Sequence, residues 1–162
     1  MKNAIKSLIL CAALALPAAA ANSYEILSVD IGIAPNIDID SFSDQQFPNT
    51  FALNLRVADP LAVGFETVSR GAGTASALFN FKYDLSALGG QLAAVISLGN
   101  GSGLNPSLLT TTHAGIGFEY TPFYKKREAI STALKIAPRY IFDTNDAASG
   151  VLVIGIAVSL GI

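Results

Sequence analysis

The sequence has no tryptophan, and its single cysteine, Cys11, lies in an N-terminal segment expected to be removed. The mature chain then has no cysteine to form a disulfide, so its stability must come from packing or from a surrounding phase. Charge is also scarce: Asp, Glu, Lys and Arg make up 14% of the residues, whereas the surface of a soluble domain usually carries about 25–35%. Long apolar runs are missing too. Although 51% of the residues are hydrophobic, no stretch after the N-terminal segment approaches the roughly 18 apolar residues that a membrane helix needs. Basic clusters of the nucleic-acid type are absent, which argues against a nucleic-acid partner. The Gly-rich segments, such as NGSG from Asn100, follow no phosphate-loop or dinucleotide-binding pattern.

What is present begins with MKNAIKSLILCAALALPAAAAN. Lys2 and Lys6 precede an apolar segment from Leu8 to Leu16, followed by Pro17 and a small-residue run with Ala-x-Ala sites. This order predicts a secretory signal peptide over 1–21 and a mature domain over 22–162. The apolar segment is too short to span a bilayer. Lipidation of Cys11 is not expected, because Leu10 stands where a small residue would be needed. Removing Lys2 and Lys6 leaves 8 basic residues against 12 acidic ones, a net charge of −4.

Beyond the leader, bulky and small residues alternate with a period of two, the mark of strands with unlike faces. Leu27, Val29, Ile31 and Ile33 alternate with Ser28, Asp30 and Gly32 in a first strand over Glu25–Ala34. Seven further segments follow. They are centred on Phe51–Val57, Leu61–Glu66, Leu78–Tyr83, Leu92–Leu98, His113–Tyr120, Ile130–Phe142 and Val151–Ile162. The polar stretches Pro35–Asn49, SRGAGT from Ser69, Asn100–Ser107 and Asp143–Ser149 read as loops, and Asp59-Pro60 and Ser86–Gly90 as turns. The connection from the sixth strand to the seventh, TPFYKKRE, is expected to be an eight-residue loop. Eight strands of about ten residues, with loops longer on one side, predict an all-β, eight-stranded antiparallel up-and-down transmembrane β-barrel. The apolar VLVIGIAVSLGI stretch is expected to close on the first strand.

Charge then assigns the faces. Asp30, Arg56, Glu66, Lys82, Glu119, Lys135 and Arg139 all lie on the phase opposite the bulky residues, among Gly, Ala and Ser. A soluble barrel or sandwich would fill that phase with many polar side chains; small residues with isolated charges suit a cramped interior. Three acids facing four bases are expected to pair in a filled lumen, with Gly32, Gly115, Gly117 and Gly155 giving room. Tyr24, Phe47, Phe51, Tyr83, Tyr120, Phe123, Tyr124, Tyr140 and Phe142 fall near strand ends, where interfacial girdles belong.

This architecture resembles the small eight-stranded outer-membrane proteins of the OmpW, OmpX and OmpA membrane-domain type, over essentially the whole mature chain. The resemblance implies location in the outer membrane of a diderm bacterium, contact with outer-membrane lipids and insertion by the barrel-assembly machinery. Such barrels usually end on an aromatic residue, whereas Ile162 stands here, a departure expected of a divergent member such as a spirochaetal one. No enzymatic role is expected: His113 is the only histidine, and Gly115 stands where the lipid A deacylase barrels have serine. No cofactor is expected either. Asp38, Asp40 and Asp44 sit in the longest loop, but Phe42, Ser43 and Asn49 break a calcium-loop pattern, so these acids read as a solvated surface loop. The expected function is membrane structure or surface interaction with an unidentified surface or host ligand. A narrow channel for small or hydrophobic solutes is the alternative, followed by a secreted soluble carrier.

Overall fold

Alternation from Leu27 onward becomes a closed sheet in a computed structural model that describes residues 25–37, 47–58, 60–71, 74–85, 91–101, 112–144 and 150–162. The expected signal peptide, the girdle candidate Tyr24 and the loop acids Asp38, Asp40 and Asp44 lie outside the described residues. Eight long strands follow one another: β1 Leu27–Ile33, β2 Asn49–Ala58, β3 Leu61–Gly71, β4 Thr74–Asp84, β5 Gln91–Gly101, β6 Thr112–Arg127, β7 Ile130–Asp143 and β8 Gly150–Gly161. Each pairs antiparallel with the next, and β1 pairs with β8, so the sheet is an up-and-down barrel. Closure satisfies the hydrogen-bonding edges that an open sheet would expose.

The seam is longer than β1 itself. Asn36–Ile37 continues along β8 opposite Val153 and Leu152, in the same register as Ile33 opposite Ile156. The interruption falls at Pro35, which has no N–H for the ladder. Its carbonyl still accepts from the Ile154 N–H at 3.0 Å, and the Ala34 N–H turns to the Pro48 carbonyl at 2.8 Å. At Gly32 the two strands approach so closely that a Cβ would strike the Ile156 carbonyl and Ala157.

Strand tilt can be read from the pairing. Leu27 faces Leu55, and the partners then run through Val63, Phe81, Ile96, Ile116, Tyr140 and Leu152 to Ile37, ten positions beyond the start. A stagger of ten residues over eight strands corresponds to a tilt of about 40°. All nine residues on this path are apolar or aromatic, and the eight from Leu27 to Leu152 belong to the outward phase. Seven of the strands have ten to sixteen residues, and the seven-residue β1 is extended along β8 by Asn36–Ile37; at that tilt they cover an apolar band of roughly 25 Å.

Two connections differ from expectation. TPFYKKRE is not a loop: β6 runs on to Arg127, and only Glu128 and Ala129 form the turn, with Glu128 in the left-handed region at φ 52°. The pairing slips by one residue between Tyr120 and Phe123, a bulge around Pro122 that breaks the period and made the segment read as a loop. SRGAGT is likewise mostly strand, since Gly71 pairs with Thr74. Small residues on both phases there leave little contrast to read. The strand ends at Ala58 and Leu61, at Asp84 and Gln91, and at Arg127 and Ile130, joined by the short connections of the sequence, share one end of the barrel; those at Ile33 and Asn49, Gly71 and Thr74, Gly101 and Thr112, and Asp143 and Gly150 lie at the other.

Candidate functional site

Alternate residues on each strand point into the barrel, and along several strands their character changes from one end to the other. On β4 the inward series is Lys82, Asn80, Leu78; on β7 it is Lys135, Ala137, Arg139, Ile141; on β3 it is Ala62, Gly64, Glu66, Val68. Charge occupies the short-turn half and apolar side chains the other. The lumen is therefore layered.

The deepest charged layer joins β3 and β7. Arg139 Nη1 and Nη2 donate to the two Glu66 carboxylate oxygens at 2.6 and 2.8 Å, a bidentate pair across the barrel. Asn80 Nδ2 donates to Glu66 Oε2 at 2.8 Å, and Ser97 Oγ donates to Asn80 Oδ1 at 2.7 Å. Gly117 lies opposite Arg139, and a Cβ there would strike the Arg139 Cα and Cγ. The expected room-making role thus holds at Gly117. Gly155 is different: a Cβ there would make only ordinary contacts, and Gly32 is crowded by the seam rather than by a long side chain.

A second layer brings together Asp30, Lys135, Glu119 and Lys82. Lys135 Nζ donates to Asp30 Oδ1 at 2.9 Å and lies 4.0 Å from Glu119 Oε1, while Lys82 Nζ donates to Glu119 Oε2 at 2.5 Å. Asn54 Nδ2 donates to Asp30 Oδ2 at 2.8 Å. Nearer the mouth Arg56 meets Asp84 at 3.8 Å, and Ser131 Oγ donates to Glu25 Oε1 at 2.6 Å. All seven ionisable residues singled out from the sequence point inward, and each has an acidic or basic partner within 4.0 Å. Asp84, Glu25, Asn54, Asn80 and Ser97 complete the arrangement without having been assigned to it. Asn54 and Asn80 already stood on the charged phase, two residues from Arg56 and Lys82; counting amides as well as charges would have found them.

Above the Arg139–Glu66 pair, Val68, Leu78, Ile141, Val151, Val153 and Ala34 form a buried apolar septum. Leu78 fits because Gly99 faces it: a Cβ there would strike its side chain and the Ala77 carbonyl. His113 is buried at the same end, with Nε2 at 2.7 Å from the Gly101 carbonyl. At the short-turn end lies an open recess of about 90 Å³, lined among others by Arg56, Lys82, Asp84, Glu119 and Lys135. A second cavity of about 30 Å³ reaches Arg139 and Glu66. Tyr124, expected among the girdle aromatics, faces this recess instead, because the bulge at Pro122 shifts its phase and sets it opposite the buried Ala133.

The outside is the reverse of the inside. Ile31, Phe65 and Val158 are 61%, 50% and 57% exposed, whereas Arg139 and Glu66 are 3% and 6% exposed. Chemically, the interior can hold a few water molecules among fixed charges at one end, and the apolar septum lies between those charges and the other end. Comparison with protein-family models, with curated proteins and with solved structures finds no match for the chain.

Proposed function

We propose that the chain is an integral outer-membrane β-barrel with a side-chain-filled lumen, a structural or surface-contact protein whose long connections carry the interaction. The observation that carries this reading is the inverted polarity. Large apolar side chains, including Ile31, Leu53, Phe65, Phe81, Ile96, Phe123 and Leu160, stand exposed on the outer face. A soluble monomer rarely exposes a contiguous apolar patch of more than a few hundred Å², whereas lipid makes such a belt the favoured outer surface. The signal-peptide pattern and the resemblance to small outer-membrane barrels point the same way, with outer-membrane lipids and the barrel-assembly machinery as partners. A soluble carrier is disfavoured because six charged side chains line the recess, whereas Leu92 is the only Leu or Phe in its lining. A narrow conduit is disfavoured by the septum.

The test is extraction and gel mobility. The mature protein expressed with its leader is expected to require detergent for release and to migrate faster unheated than boiled in SDS. Recovery of the mature chain as a soluble periplasmic monomer rejects the proposal.

A further inference from the structure

On the outward phase of the strands, only two charged side chains occur among the described residues: Lys125 and Arg127, both at the tip of the β6–β7 hairpin. They follow Phe123 on that phase. Phe123 lies opposite Leu134, Lys125 opposite Thr132 and Arg127 opposite Ile130. Phe123 and Ile130 are 53% and 59% exposed. The apolar belt thus ends, at this one end of the barrel, on a pair of exposed cations on the same face. Lys126 takes the inward phase opposite Ser131, and Glu128 at the turn is the one acid in the tip.

Resting on the membrane reading above, we infer that Lys125 and Arg127 form a binding site for anionic phospholipid headgroups in the leaflet at the short-turn end. Three features fix the occupant. The cations continue an apolar face, so whatever touches them also touches Phe123 and Leu134; a lipid offers both acyl chain and phosphate at that spacing. Long basic side chains at the edge of an apolar band lay their stems on it and send their charged ends to the headgroup plane. The bulge at Pro122 returns Phe123, and with it Lys125 and Arg127, to the outward phase just before the turn, where a headgroup plane would lie.

The chain has no tryptophan, so Phe123→Trp supplies a unique fluorophore beside the site, and Phe51→Trp a control near the opposite end. Each variant is reconstituted in phosphatidylcholine vesicles, and quenching by brominated phosphatidylglycerol is compared with quenching by brominated phosphatidylcholine. In the Phe123→Trp variant the anionic lipid should be preferred at least about fivefold, since each basic group near an anionic surface is worth roughly that factor. Adding Lys125→Gln or Arg127→Gln should each remove about fivefold, high salt should abolish the preference, and the Phe51→Trp control should show none. Equal quenching by the two lipids in the Phe123→Trp variant, or the same preference in the Phe51→Trp control, overturns the site while leaving the membrane reading intact. Quenching by neither lipid overturns both.

Discussion

Arg139 binds Glu66 through two nitrogens, with Gly117 leaving space for its stem and Asn80 bracing the carboxylate from β4. Removing one member of such a buried pair leaves the other charge without compensation, which costs about 3–5 kcal/mol, whereas replacing both by apolar residues of similar volume is often neutral. Glu66→Leu and Arg139→Met should therefore each lower the urea midpoint strongly, and the double variant should recover most of the loss. Equal and additive losses would show that the two side chains do not depend on each other. The alternation placed both residues on one phase, because a period of two fixes the face of a side chain without any knowledge of its partner. Pairing itself was not legible. Which acid meets which base depends on strand register, and Asp84 was missed because it lies one residue past the apparent end of its strand.

Strand β8 tests whether the outer face meets lipid. Its outward series Leu152, Ile154, Ile156, Val158 and Leu160 faces away from the buried Val151, Val153 and Ser159. Ile154→Lys should destabilise the folded barrel in vesicles by about 2–4 kcal/mol if lipid lies there, and much less if water does. Denaturant titration in vesicles reads the difference; a change below about 0.5 kcal/mol, the range of an ordinary surface substitution, contradicts lipid contact. Strands with strong contrast, such as β2 and β8, could be read directly from the sequence. β6 could not be followed to its end, because a bulge inserts one residue and inverts every later position. Tyr124 then reads as a girdle residue and KKR as a loop, though both belong to the hairpin. The start of β4 was hidden for another reason: Thr74, Ala75, Ser76 and Ala77 offer no large residue to mark a face.

For the whole molecule, the interior is closed by two different means in series. The ionic layers were foreseeable from the phase of the charges; the septum was not, since Val68, Leu78 and Ile141 each interrupt an otherwise small or polar phase and appear as a layer only once the register stacks them. This changes what a conductance measurement should show. Arg139→Ala alone should leave planar bilayers nearly silent, because an apolar constriction stays dry. Currents should appear when Leu78→Ala and Val153→Ala are added. Large steady currents from the wild type would refute the filled lumen. The seam has a consequence in time. Ser28 pairs with Gly161, so the ladder that closes the barrel joins partners 133 positions apart, and the hairpins cannot close the barrel without it. Long-range pairing of this kind slows folding. Until β8 arrives, β1 would expose an open edge and an apolar face together, the combination that invites aggregation. On the membrane reading proposed above, the interval before closure is the one in which an escort would protect the chain, and variants that weaken β1 or β8 should act first on yield and folding rate, before any defect shows in the finished barrel.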